Sequence, residues 1–451
     1  MREQIQIPEG AQIIMRKLRE AGYEAYIVGG CVRDMVLGRE PHDWDITTSA
    51  RPMEVKALFT RTVDTGLQHG TVTVLCGGGA YEVTTYRVDG IYEDARHPKQ
   101  VTFTASLEED LKRRDFTINA MAFNEETGIV DIFGGIQDLR RGVIRAVGDP
   151  QERFEEDALR ILRAFRFAAQ LDFEVEENTR LAAGRMAPSL QRISKERIRE
   201  ELDKILVSPH PEMVRTLWEA GITAVILPEF DRCMATPQNN PHHMYNVGDH
   251  TIKTMEMVRD DPILRLTMLL HDMGKPQRRT TDAKGIDHFY GHQDLGRDIA
   301  HKILRRLKYD NDTTKKVETL VYYHDMGIRL TPAGVRKAIV RVGEDLFPLL
   351  LEVKQADLNG QSDFQRGEKQ ELLDTVRALY DEIIARGDCL SLKTLAVSGS
   401  DLIEAGVRPG RQIGVILKLM LSDVLGTPEH NTREYLMRRY AGDIEEAAGA
   451  H

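Results

Sequence analysis

YIVGGCVRDMVLGREPHDWDITTSA, residues 26–50, leads from an apolar run through a Gly-Gly pair to two acids, Asp43 and Asp45, one residue apart. On a strand, residues i and i+2 point to one face, so the two carboxylates converge and Trp44 turns the other way. Like charges on one face repel, and a cation between them removes the conflict. Converging carboxylates can clamp two Mg²⁺ ions about 4 Å apart, the arrangement used for in-line phosphoryl and nucleotidyl transfer. A third acid usually comes from a neighbouring strand, and Glu82 in YEVTTYR is the candidate. Gly29 and Gly30 permit close backbone approach to phosphates, and Arg33 adds a guanidinium fork that matches a phosphate. Read alone, Asp-x-Asp also describes a solvated strand end.

The rest of the chain supplies the context. Its 451 residues correspond to two to four domains at roughly 100–200 residues each. The hydrophobic fraction of 41% is enough for real cores. There is no apolar run long enough to span a bilayer, and MREQIQIPEG is too polar for a signal peptide, so a soluble cytoplasmic protein is expected. Cys31, Cys76, Cys233 and Cys389 are far apart and form no Cys-x-x-Cys, which indicates neither a disulfide framework nor a zinc knuckle. A formal charge of −10 argues against non-specific coating of DNA, so any nucleic-acid site must be a local basic stripe.

Strand-like alternation in HGTVTVLC, YEVTTYRV and IVDIFGG fills the chain to about Gly148. Helical periodicity in EEDALRILRAFRFAAQL and ISKERIREELDKILVS follows. The chain therefore reads as multidomain α+β: an α/β head over 1–148, a helical neck over 149–235, a histidine-rich helical part over 236–360 and a helical tail over 361–451. The spacing in EDALRILRAFRF (156–167) predicts one helix, with Asp157, Arg160, Arg163 and Phe167 on a shared face. In isolation, that spacing also describes a surface ion pair.

GGCVRDMVLGREPHDWDITT resembles the signature of the polymerase-beta-like nucleotidyltransferases, in the class II branch of CCA-adding enzymes and bacterial poly(A) polymerases. The likeness continues in order through RRDFTINA (113–120), DIFGG (131–135), EDALRILRAFRF and ISKERIREEL (193–202). It implies that Asp43, Asp45 and Glu82 are catalytic, with Mg²⁺ on Asp43 and Asp45. Gly30, Arg33, Arg114, Asp115 and Asn119 would hold the nucleotide's ribose and triphosphate. Asp157 and Arg160 match positions that read the incoming base, and Arg163 and Arg166 match further nucleotide contacts. An acceptor and a donor placed together suit C and A, which carry an amine next to a ring acceptor; U and G present the reverse. Gly134 and Gly135 match the family's hinge. DGIYEDARHPKQVTF (89–103) resembles the flexible loop of full CCA-adding enzymes, and TGLQHGTVTV (65–74) also resembles those enzymes.

A second constellation comprises His250, His271, Asp272, His292, His324 and Asp357. Histidines and acids spread over several helices suit a divalent cation cage. The pattern resembles the HD phosphohydrolase superfamily, which implies a transition metal or Mg²⁺ and phosphatase or 2′,3′-cyclic phosphodiesterase chemistry. His242, His243 and His288 read as loop histidines. Arg180, Arg185, Arg192, Lys195, Arg197 and Arg199 make the neck locally basic, as an RNA acceptor stem requires. The tail from Val397 to Asn431 resembles the family's tRNA-binding tail, and also reads as an ordinary helical pair. The expected activity is template-independent addition of CCA to tRNA from CTP and ATP. The expected partners are the tRNA acceptor end and these two nucleotides, with neither DNA nor a membrane, and the protein would be a monomer or homodimer. The rival readings are a poly(A) polymerase, a CC- or A-only enzyme, and a metal phosphohydrolase with an RNA-binding head.

Overall fold

Strand β1 (Ala25–Val28) is buried along its whole length and forms part of the core of the head. The computed structural model of the chain describes residues 7–89 and 101–449. Most of the loop segment 89–103 therefore lies outside the described residues. The chain forms two compact units, Met1–Asp231 and Arg232–His451.

In the first unit β1 is joined by β2 (Asp45–Thr48), β3 (Thr62–Gly66), β4 (Thr71–Cys76), β5 (Gly79–Thr85), β6 (Arg87–Asp89), β7 (Val101–Phe103), β8 (Ala122–Asn124) and β9 (Gly128–Val130). Seven of these make one mixed sheet in the order β3-β4-β5-β2-β1-β8-β9, and β6 and β7 form a separate two-stranded sheet. β2 lies antiparallel to β1 and parallel to β5, so the acid-bearing strand is central. Buried Ile27, Ile46, Val72, Val74 and Val83 form the apolar face expected from β-branched alternation. Helices follow: Pro150–Glu156, Leu159–Leu171, Glu177–Met186 and Lys195–Leu206. The helix Pro150–Glu156 starts as its sequence prescribes, with Pro150 at the first turn and the Asp149 carboxylate capping the Gln151 amide.

The predicted single helix through 156–167 is two. Asp157 ends the first with extended backbone (φ −139°, ψ 104°), and its carboxylate accepts the Leu159 amide at the start of the second. An Asp competes with helical hydrogen bonding by capping, and here that cap breaks the run. Asp157 therefore does not share a helical face with Arg160 and Arg163.

The second unit is helical apart from a short pair of strands, Thr280–Thr281 and Asp287–His288. Its first helices are Val247–Glu256, Pro262–Leu270, His292–Arg306, Asn311–Tyr323, Pro332–Val342 and Phe347–Asn359. Asn246, Asp261, Asp310 and Thr331 cap four of them with side-chain oxygens. Phe347, Leu350, Val397, Leu402, Met420 and Val424 belong to one apolar core that ties the Phe347–Asn359 helix to the tail helices. All four cysteines are free. No helix among the described residues is long and apolar enough to cross a membrane.

Candidate active site and candidate metal centre

Asp45 lies directly opposite Glu82 in the parallel β2–β5 register, so the two side chains leave the sheet together. Tyr81 and Val83 are buried on the other face of β5, which leaves Glu82 exposed. Asp43 lies outside β2, contrary to the strand spacing read from the sequence. The pairing of β1 with β2 stops at Ile27 opposite Ile46, and the chain leaves β1 at Val28 to turn at Gly29 with φ +84°, so Asp43 and Trp44 precede the paired part of β2. Asp43 nonetheless stays near enough to act on the Asp45 carboxyl. Burial raises the Asp45 carboxyl above its ordinary range, Arg114 opposes that rise, and Glu82 and Asp43 add to it. The net rise marks a place short of positive charge, the condition that a divalent cation relieves. Three carboxylates are also the hard oxygen donors Mg²⁺ prefers. The donor types suit the ion, although these three carboxylates do not bring their oxygens within 4.8 Å of one another as the ligands of the second unit do.

Gly29 is needed at this point. A Cβ there would stand 3.1 Å from the Arg114 guanidinium, on a backbone that side chains rarely adopt. Gly30 has no such constraint. Arg114 is held by the fully buried Asp110, whose carboxylate also accepts from Arg113 and from Thr47 on β2.

A relay of hydrogen bonds links the other residues of the head. Arg33 donates to Asn119 Oδ1 at 3.0 Å, and Asn119 donates to Asp115 Oδ1 at 3.2 Å. Asp115 Oδ2 accepts both Nε and Nη2 of Arg163, at 2.9 and 2.5 Å. Burial works to raise the Asp115 carboxyl, but Arg163 more than compensates and holds it at about 2. Three guanidinium groups crowd the Phe167 ring: Arg166 at 4.1 Å, Arg33 at 5.1 Å and Arg163 at 5.3 Å from its centroid. Burial and the neighbouring Arg163 push Arg166 down to about 10, against the pull of Glu201, its partner at 3.2 Å.

Asp157 and Arg160 do not pair with each other. Asp157 Oδ2 accepts from Arg197 at 2.9 Å, while Arg160 pairs with Glu156 and donates to the Arg113 carbonyl. Arg197, counted in the basic stripe of the neck, is thus committed to a site residue. The sequence reading missed both that role and Glu201, although ISKERIREEL sets them four residues apart on one helix face. Of the two glycines read as a hinge, Gly135 is packed, with Asp131 capping the Gly135 and Ile136 amides and a Cβ there falling 2.3 Å from the Thr117 carbonyl oxygen, whereas Gly134, at φ +80°, has open space around it.

In the second unit the six residues His250, His271, Asp272, His292, His324 and Asp357 converge. His250 Nε2 lies 2.9 Å from Asp357 and 3.7 Å from Asp272. His271 Nε2 is 3.3 Å from Asp272 Oδ2, while His292 and His324 stand 3.6 and 3.7 Å from Asp272 Oδ1. Two sets of three share Asp272: His250 with His271, and His292 with His324. Each imidazole turns Nδ1 to a backbone carbonyl, of Gly360, Met268, Phe289 and Val321 respectively. That bond fixes the tautomer and leaves Nε2 as an acceptor facing the centre. Asp272 is 1% exposed; its Oδ2 meets the Lys275 ammonium at 2.7 Å, but neither its Oδ1 nor His271 Nε2 has a hydrogen-bond donor. Orphaned buried acceptors of this kind are costly without a cation, so the donor set fits one or two divalent ions. The sequence reading missed three neighbours. Lys275 stands 2.7 Å from Asp272 Oδ2, His243 packs its ring 5.3 Å from that of His250, and Asp325 lines the adjoining cavities. Lys275 was readable as the residue one helical turn after Asp272 in HDMGK.

Comparison with known proteins accords with this geometry. Residues 25–145 match the family described as "Poly A polymerase head domain". Residues 172–234 match "Probable RNA and SrmB- binding site of polymerase A", and residues 283–439 match "tRNA nucleotidyltransferase domain 2 putative". The fold and the carboxylate site thus define a nucleotidyltransferase. A CCA-adding enzyme of Streptococcus pyogenes serotype M2 is 55% identical over 213 residues, 47% of this chain and 51% of that protein, about half of each. A CCA-adding enzyme of Levilactobacillus brevis is 39% identical over 414 residues, 91% of each chain. The crystal structure of the Bacillus stearothermophilus CCA-adding enzyme in complex with CTP superposes with a TM-score of 0.72 at 30% identity, covering 98% of this chain and 100% of that one. The chain belongs to the CCA-adding enzyme family of tRNA nucleotidyltransferases.

Proposed function

We propose that the protein adds C, C and A to the 3′ end of tRNA from CTP and ATP, without a nucleic-acid template. The observation that carries the proposal is the register of Asp45 against Glu82, with Asp43 close enough to raise the same carboxyl. Asp43, Asp45 and Glu82 would hold Mg²⁺, which neutralises triphosphate charge and activates the 3′-hydroxyl when bound. Arg33, Asn119 and Asp115 orient the ribose and phosphates through the relay that ends on Arg163, joined by Arg114 on Asp110. Arg160 donates to a ring acceptor of the base, and Asp157, keeping Arg197 on one oxygen, accepts from the exocyclic amine. U and G would leave these groups unpaired and be rejected. Incubating tRNA that lacks CCA with CTP, ATP or both, then sequencing the products, tests this reading. Full CCA ends support it, while long A tails or addition of C or A alone favour the rival transferases. The Asp43→Ala protein should add nothing.

A second activity is favoured by the six converging residues of the other unit. Four imidazoles with two carboxylates suit a divalent transition metal better than Mg²⁺, and bound cations there would neutralise a phosphoester for hydrolysis. The resemblance to the HD phosphohydrolases makes phosphatase or 2′,3′-cyclic phosphodiesterase action the reading here. It is tested by metal-dependent hydrolysis that His271→Ala abolishes while nucleotide addition persists.

A further inference from the structure

The metal-facing side chains do not close the blind end of one cavity; they lie between two. On one side is a cavity of about 390 Å³ walled by Met326, Ile328, Leu372 and Leu373, with Lys369 at its polar edge. On the other is a more polar one of about 280 Å³, with Phe289, Tyr290 and Gln293 on its walls. His324, Asp325, Asp357 and Gln361 line both, so the two meet at the metal ligands. Small-ligand cavities span roughly 300–1,000 Å³, which makes the first large enough for a nucleoside and the second a shallower ledge. Tyr290 is 77% exposed on that ledge, and its ring lies parallel to His288 at 5.4 Å. An exposed aromatic ring held flat beside a phosphate site is a stacking platform for a base.

A phosphomonoester or a cyclic phosphate carries one nucleoside and fills one cavity. An acyclic phosphodiester carries one on each side of phosphorus. We infer that this centre cleaves the last phosphodiester of an RNA 3′ end, with the terminal nucleoside in the Met326–Leu373 cavity and the preceding base on Tyr290. The inference rests on the metal-site reading above. A water oxygen bonds to phosphorus and the P–O3′ bond breaks. The departing O3′ takes a proton, giving a 5′-nucleotide and an RNA one residue shorter. Nothing is oxidised or reduced, and the new 3′-hydroxyl is the group that nucleotide addition extends.

The test uses the full chain with Mn²⁺, and the dinucleotide CpA beside 2′,3′-cyclic CMP and p-nitrophenyl phosphate. CpA should yield cytidine and 5′-AMP with the highest kcat/KM of the three, and Asp272→Ala should abolish the cleavage. Tyr290→Ala should lower kcat/KM for CpA about tenfold, the scale of one lost base stack. A readout independent of turnover is the fluorescence of a dinucleotide carrying 2-aminopurine at its 5′ position, bound to metal-free protein. Its quenching should be lost in Tyr290→Ala and weakened in Leu372→Glu, both changes at exposed positions. Quenching untouched by both variants overturns the seating. Hydrolysis of the cyclic or monoester substrates with CpA left intact overturns the diester inference but keeps the metal reading. Calorimetry that finds no metal binding overturns both.

Discussion

Replacing Asp115 with Asn removes one charge and almost no volume from the centre of the head. The carboxylate accepts from the Phe116 amide, from Asn119 and twice from Arg163, and it is 8% exposed. Holding a carboxyl at about 2 instead of 3.8 contributes roughly 2–3 kcal/mol at neutral pH. The sign is that of a depressed acid. The contribution is complete above the unfolded value of 3.8 and is lost as pH falls through the folded value of about 2. At pH 3 about half of it remains. Urea unfolding of the native protein and Asp115→Asn, followed by a probe in the first unit, should show the variant weaker by about 2–3 kcal/mol at pH 7. The gap should narrow to about half of that at pH 3. Freed from Asp115, Arg163 should also lose its fixed place beside Phe167, and kcat/KM for nucleotide addition should fall with stability restored by cooling. A gap below about 0.5 kcal/mol at pH 7, or one that does not shrink with acid, would refute the assignment of Asp115 as an ionised keystone.

Asp45→Asn should lose nucleotide addition by at least about a hundredfold while unfolding no earlier than the native protein, because the carboxyl it removes is one that its surroundings disfavour; clear destabilisation would contradict this. Arg197→Ala should keep the fold but release Asp157, so that misincorporation of U or G rises about tenfold relative to C and A, as read by sequencing of product ends. Gly135→Ala should cost about 1–3 kcal/mol, since its Cβ would collide with the Thr117 carbonyl oxygen, and thermal melts check it. Gly360→Ala should weaken metal binding about 10- to 100-fold by calorimetry. Its Cβ would press the His250 ring at 3.2 Å and displace the carbonyl that orients it.

What the sequence disclosed followed from order and chemistry more than from period. The strands around Asp45, and Glu82 as its partner, could be read because alternation survives wherever one face is buried. The six residues of the second centre were legible as residue types, and the fold brings all of them together. Periodicity failed at Asp43 and Asp157, for the same reason at both. Each sits where a regular element runs out, Asp43 beyond the last residue that β1 can pair and Asp157 between two helices it helps to separate. A window that assumes the element continues puts such residues on the wrong face. Long-range partners were beyond reach in another way. Arg197 is forty residues from Asp157, and nothing local distinguishes an Arg that salt-bridges inward from one that meets phosphate.

The histidines show why element ends are useful positions. His271 and His324 each directly follow the last residue of a helix, and His292 opens one after Gly291. All three give Nδ1 to the carbonyl three residues earlier, of Met268, Val321 and Phe289. Within a helix that carbonyl already accepts an amide; in the last turn, as at Met268 and Val321, it is free to take an imidazole, whereas the Phe289 carbonyl accepts both the His292 amide and its Nδ1. The backbone therefore orients these rings without any distant partner, and the arrangement can be encoded locally. His250 is the exception. It lies inside the Val247–Glu256 helix, has no free carbonyl nearby, and borrows that of Gly360 at the end of the helix carrying Asp357. The approach is tight enough to require a glycine. The ring and the carboxylate it meets at 2.9 Å are thereby set by one contact between two helices, so the centre is locally built at three histidines and depends on tertiary packing at the fourth.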